Sequence, residues 1–135
     1  MKDIIENDGY NIHHHVSAIT ENLLISSGFN PTLLGYGYIV KAVEIYFDSS
    51  LTLSDSKTKL LYPEIAKQCN TGARNVERNI RTAIKNAWAQ NCGNHFYLRV
   101  GSLKSESKRP TCGELIALIV QYIENIEFND GNIWW

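Results

Sequence analysis

The sequence predicts an all-α fold: a compact bundle of about five to six helices that contains a helix-turn-helix. Three observations point there. Apolar residues recur at three- and four-residue spacing in several stretches long enough to be helices. Gly, Pro and Asn stand between those stretches, where helices stop and start. With 44% of its 135 residues apolar, the chain can bury one core. The reading places a flexible tail over 1–12, one domain over 13–128 and a second tail over 129–135.

The first helix is expected over 13–27, with Val16, Ile19, Leu23 and Leu24 on its inner face and Gly28 as its stop. Asn30 and Pro31 suit the cap and first turn of a second helix running to Phe47. That helix is apolar on most sides, so it should lie at the centre of the core. Gly35 and Gly37 weaken it locally, and glycine there suits close helix packing. A polar connection covers 48–56. A short helical segment is expected over 58–62, and Pro63 is expected to begin another helix that ends near Cys69. Asn70 tolerates a left-handed turn, and Thr71 is a suitable cap for a helix over 72–90. Residues 95–100 fit a short strand or a helical turn equally well. After a basic loop, a last helix is expected from Thr111 to about Phe128.

The charge distribution is more informative than the net charge of −1. Residues 1–50 carry two basic and six acidic side chains, a balance of −4. Residues 51–110 carry eleven basic and four acidic, a balance of +7, and the remainder returns to −4. A basic middle between acidic ends suits one face that meets a polyanion. No apolar run is long enough for a membrane span, and Met1-Lys2-Asp3 opens no signal peptide, so a cytoplasmic protein is expected. Cys69, Cys92 and Cys112 match no zinc or redox spacing and read as reduced, small apolar residues. Consecutive His13, His14 and His15 on a helix point in different directions and cannot share one ion. No catalytic motif is present, so neither an enzyme nor a cofactor or metal is expected.

The segment from Pro63 to Val76 reads as a helix-turn-helix. Ala66 is small enough for close approach, Asn70 sits at the turn, and Ile65, Cys69 and Val76 are expected to fill the contact. Advancing about 100° per residue along the second helix places Arg74, Arg78, Arg81 and Lys85 in one stripe roughly 60° wide. Val76, Ile80, Ala83, Ile84 and Ala87 fall on the opposite side, with Trp88 at the border. Four cations against Glu77 alone make a poor stabilising surface and a good ridge for a phosphate-lined groove. Arg74, Asn75, Glu77, Arg78 and Arg81 are candidates for reading bases, since Arg suits guanine, Asn adenine and Glu cytosine. Lys57, Lys59, Lys67, Thr71, Lys85, Lys104, Lys108 and Arg109 are candidates for phosphate contacts.

These residues resemble a known family. The run Leu61-Tyr62-Pro63-Glu64-Ile65-Ala66-Lys67, then Asn70-Thr71, Val76-Glu77-Arg78, Ile80-Arg81, Ala83-Ile84 and Ala87-Trp88, is similar to the C-terminal effector domain of the sporulation master regulator, stage-zero sporulation protein A. Gly35-Tyr36, Tyr38 and Pro110-Thr111 match as well, so the resemblance covers roughly 13–127. It implies a six-helix fold and a transcription regulator that binds short promoter boxes of double-stranded DNA in a spore-forming Firmicute. It allows a homodimer on tandem head-to-tail sites and a contact with RNA polymerase. Glu77 and Arg78 match the family's reading helix, whereas Asn75 replaces a base-reading Arg and Arg74 replaces a small polar residue. Residues 92–108 are shorter and different. The family's regulator carries a phosphorylated receiver domain, and none precedes residue 13. For a complete chain, constitutive binding, or control by amount or by a partner, is therefore expected; for a fragment that expectation lapses. The rival reading is a protein-interaction module or antagonist that pairs with a related full-length regulator; the Asn75 change and the acidic ends allow it, and the Trp134-Trp135 tail is a second hint.

Overall fold

Helices follow one another along the chain as α1 (Asp8–Ser26), α2 (Leu34–Ser49), α3 (Asp55–Gln68), α4 (Ala73–Ala89), α5 (Gly93–Val100) and α6 (Cys112–Ile133). The structure is a computed structural model that describes residues 8–49, 55–90, 93–101 and 108–133, with side chains over 15–48, 60–90, 95–101 and 108–126. Among these residues there is no strand. The expected all-α bundle is therefore what forms.

The apolar spacing of α1 does what its period requires. Val16, Leu23 and Leu24 are buried on one face, and Thr20 between them donates its hydroxyl to the Val16 carbonyl at 2.8 Å. The helix begins at Asp8, earlier than the apolar period alone announces. It ends in a left-handed Gly28 with φ of 93°. The Phe29 amide reaches back to the Leu24 carbonyl at 2.9 Å, which closes a Schellman cap. Phe29 then drops into an aromatic cluster with Trp88 and Phe96.

Helix α2 is the central element, as its composition predicts. It packs on α1, α3, α4 and α6. Ile39, Ala42 and Val43 are fully buried, with Tyr36, Tyr38, Ile45 and Tyr46 close behind. Asn30 does not cap this helix as expected. Its side chain accepts from the Thr32 amide at 3.0 Å and from the Thr32 hydroxyl at 2.7 Å, and so stabilises a separate turn over 31–33. Gly35 fulfils the close-packing expectation. A Cβ placed there would lie 2.0 Å from the Asn79 carbonyl oxygen and 2.9 Å from the Ala83 Cβ. Gly37 does not, since nothing lies within 4 Å of a Cβ there.

The two short segments expected over 58–69 are one helix, α3, with Pro63 inside it. Burial of Leu61, Tyr62, Ile65 and Ala66 on both sides of the exposed Pro63 holds the two halves in line despite the missing backbone donor. Residues 95–100, open between strand and helix, are helical in α5. Phe96 and Tyr97 are adjacent and both buried, at 0% and 2% exposed. Successive strand residues would have sent one of them to the opposite face. Thr111 caps α6 through a capping box: its amide donates to Glu114 Oε1 at 2.8 Å, and its hydroxyl accepts from the Glu114 amide at 3.1 Å. Helix α6 runs to Ile133, past the expected end at Phe128. The Trp134-Trp135 pair lies outside the described residues.

The two glycines of α2 should respond with opposite signs. Gly35→Ala forces α2 and α4 apart and should lower stability by about 2 kcal/mol, even after a helix-propensity gain of about 1 kcal/mol. Gly37→Ala meets no atom and should raise stability by up to about 1 kcal/mol. Thermal unfolding of the two variants checks both; a stabilised Gly35→Ala would contradict the close approach.

Candidate nucleic-acid interface

A sharp turn joins α3 to α4. Asn70 takes φ of 56°, the left-handed conformation expected of it. The Thr71 amide donates back to the Ala66 carbonyl at 2.9 Å and closes a second Schellman cap. Ile65, Ala66 and Val76 are buried between the two helices. Cys69 is not: it is exposed, one residue beyond the end of α3. Thr71 does not cap α4 either. Gly72 occupies the cap position in extended backbone with no side-chain cap, and the Thr71 hydroxyl instead accepts from Asn75 Nδ2 at 2.9 Å. The first amides of α4 are thus left without a side-chain partner.

Helix α4 has two faces. Val76, Ile80, Ala83, Ile84, Ala87 and Trp88 are buried. Arg74, Arg78, Arg81 and Lys85 are all exposed. The Trp88 ring closes the border by packing edge-on against Phe29, Phe96 and Tyr97. Side chains along the exposed face bond one another. Arg81 reaches Glu77 Oε1 at 2.9 Å, a surface ion pair worth little by itself. Arg78 Nη2 donates to Asn75 Oδ1 at 2.9 Å, and Thr82 donates its hydroxyl to the Arg78 carbonyl at 3.0 Å. Asn79, which the sequence pattern did not single out, donates its amide nitrogen to the Asn75 carbonyl at 2.7 Å and to Asn75 Oδ1 at 3.1 Å. Its sequence signal was only the i, i+4 spacing from Asn75.

The other candidates fall in three places. Lys67 is exposed on α3, just before the turn. Lys108 and Arg109 are exposed ahead of α6, and Tyr97 steadies that approach by donating to the Lys108 carbonyl at 2.7 Å. Lys57 and Lys59 belong to α3, but their side chains lie outside the described residues, and Lys104 lies outside them altogether. The fold brings Arg109 together with Arg81 and Lys85 along a cleft between α4 and the start of α6.

Tyr62 and Cys112 also line that cleft, and neither is among the contact candidates named from sequence. Cys112 is buried and donates its thiol to the Glu77 carbonyl at 3.6 Å, which ties the start of α6 to α4. Burial pushes the Cys112 thiol above its ordinary pKa, against the pull of Arg81. Burial, helped by Cys112 and Glu77, also pushes the Tyr62 phenol up. Both groups stay neutral beneath the exposed charges.

A helix-turn-helix with one buried and one cationic face defines a nucleic-acid-binding class of domain. The family model described as the sporulation initiation factor Spo0A C terminal matches residues 20–123, and the chain belongs to that family. The match runs from within α1 to within α6. Membership makes the chain a DNA-binding effector domain of transcription regulation in sporulation. Among the described residues no helix is long and apolar enough to cross a membrane.

The two described thiols should differ in reactivity. Cys69 is exposed, whereas Cys112 is buried and held protonated. Alkylation of the native protein followed by peptide mass spectrometry should label Cys69 readily and Cys112 only after unfolding. Equal labelling rates would show that the α4–α6 contact is open.

Proposed function

We propose that this domain is a sequence-specific transcription regulator that reads double-stranded DNA by laying α4 in the major groove. The observation that supports it most is the division of one helix into a buried apolar face and an exposed face bearing Arg74, Arg78, Arg81 and Lys85. An α-helix fits the major groove, and its first turns reach base edges. Arg74, Glu77, Arg78 and Arg81 are placed on those turns and the one that follows. Arg74 and Arg78 suit guanine, and Glu77 suits cytosine once Arg81 turns away from it. Lys85 stands farther along and suits phosphate. Arg109, across the cleft, extends the same positive edge, with Lys108 beside it in the chain. Lys67 and Thr71 flank the start of α4. The Thr71 hydroxyl accepts from Asn75, so its own hydrogen remains for a phosphate oxygen.

Gel shift on selected promoter DNA, repeated over rising salt, tests the reading. Binding should weaken steeply with salt, as phosphate neutralisation requires. An interaction module or antagonist would give no shift at low salt, and that result would overturn the proposal. Arg78→Ala should lower specific binding by about 1–3 kcal/mol and relax preference at one base pair. Lys85→Ala should weaken all sequences about equally and reduce the salt slope by about 1. A sequence-selective loss from Lys85→Ala would contradict its phosphate role.

A further inference from the structure

Asn75 stands where a base reader is expected, yet its side chain is already committed. Nδ2 donates to Thr71 Oγ1 at 2.9 Å. Oδ1 accepts from Arg78 Nη2 at 2.9 Å and from Asn79 Nδ2 at 3.1 Å. A carboxamide oxygen has two lone pairs, and both are in use. Pairing with adenine needs that oxygen and the amide nitrogen together. Asn75 therefore cannot read adenine without releasing Arg78 or Asn79.

The surroundings favour keeping these bonds. Thr71 and Asn79, the two braces, are half-buried, while Arg78 is exposed. Asn79 spends its amide nitrogen on Asn75 alone, on the carbonyl as well as Oδ1. Its own backbone carbonyl lies against Gly35 of α2, so the brace is anchored to the core. Arg78 gives up one of its five N–H donors and keeps a pair along the guanidinium edge for guanine. The acceptor that holds it is neutral. Arg81, by contrast, is held by the carboxylate of Glu77. Arg78 is thus oriented with its charge uncompensated, and a side chain ordered before binding loses less entropy on binding.

We propose that Asn75 is a positioning residue, braced by Thr71 and Asn79, which aims the Arg78 guanidinium and so sets the strength of the preference at the base pair Arg78 meets. This rests on α4 being the DNA-reading helix.

Selection of bound sites from random duplexes, with affinities for the selected site, tests it in the wild type, Asn75→Ala, Arg78→Ala, the double variant and Thr71→Val. Asn75→Ala should lower affinity by about three- to tenfold, the equivalent of one ordinary hydrogen bond. It should relax preference only at the pair that Arg78→Ala relaxes. The double variant should bind about as Arg78→Ala does. Thr71→Val, which leaves Asn75 in place, should shift the same pair in the same direction. In the free protein, NMR should show slower guanidinium rotation for Arg78 than for Arg74, and Asn75→Ala should abolish the difference. Relaxation at a different base pair, multiplying effects in the double variant, or equal rotation of Arg78 and Arg74 would overturn the role. A wild type that enriches no sequence would instead overturn the DNA-reading proposal, and the NMR comparison would still decide whether Asn75 holds Arg78.

Discussion

The architecture depends on how closely α2 approaches α4. Gly35 brings one backbone against another, with the Asn79 carbonyl where a side chain would otherwise begin. That contact sets the depth to which α4 sinks into the bundle. It therefore sets how far the cationic face stands above the surface. Any bulk at Gly35 acts through the rigid interior and moves the reading helix as a body. A glycine on another helix is in this sense part of the interface.

A row of like charges on α4 opposes helix formation, by a few tenths of a kcal/mol for each neighbouring pair. Burial outweighs it. Val76, Ile80, Ile84 and Trp88 are each nearly or fully buried, and burying a large apolar side chain contributes about 1.5–3 kcal/mol. The helix thus tolerates a surface that serves binding. The end of α4 is held by rings: Trp88 meets Phe29 from the α1–α2 connection and Phe96 and Tyr97 from α5. Its middle meets Gly35 of α2 at Asn79 and Ala83, Cys112 of α6 ties its second turn at Glu77, and the α3 turn holds its start. Contacts at the start, middle and end leave α4 little freedom to roll. A rolled helix would present a different set of side chains to the groove.

Much of this was legible in the linear pattern. The central role of α2, the left-handed Asn70, the stop at Gly28 and the two faces of α4 follow from period and local backbone preference. These depend on neighbours within a turn or two, so the pattern carries them. The errors lie where packing, a competing side-chain bond or the exact end of a helix decides. Pro63 does not start a helix, because burial on both sides of it joins two weak segments into one. Thr71 does not cap α4, because the helix starts one residue later, with Gly72 at the cap position. Cys69 has the right size for the helix contact but the wrong position to reach it.

The sequence by itself determined an all-α chain with a turn at Asn70 and four cations along one stripe of the next helix. Helical period and charge are local properties, and they survive without knowledge of the fold. Tertiary structure alone decided that Gly35, and not Gly37, meets α4, and that Cys112 and Arg109 come to lie beside that helix. These depend on which helix faces meet. No spacing along the chain encodes those outcomes separately from the packed whole.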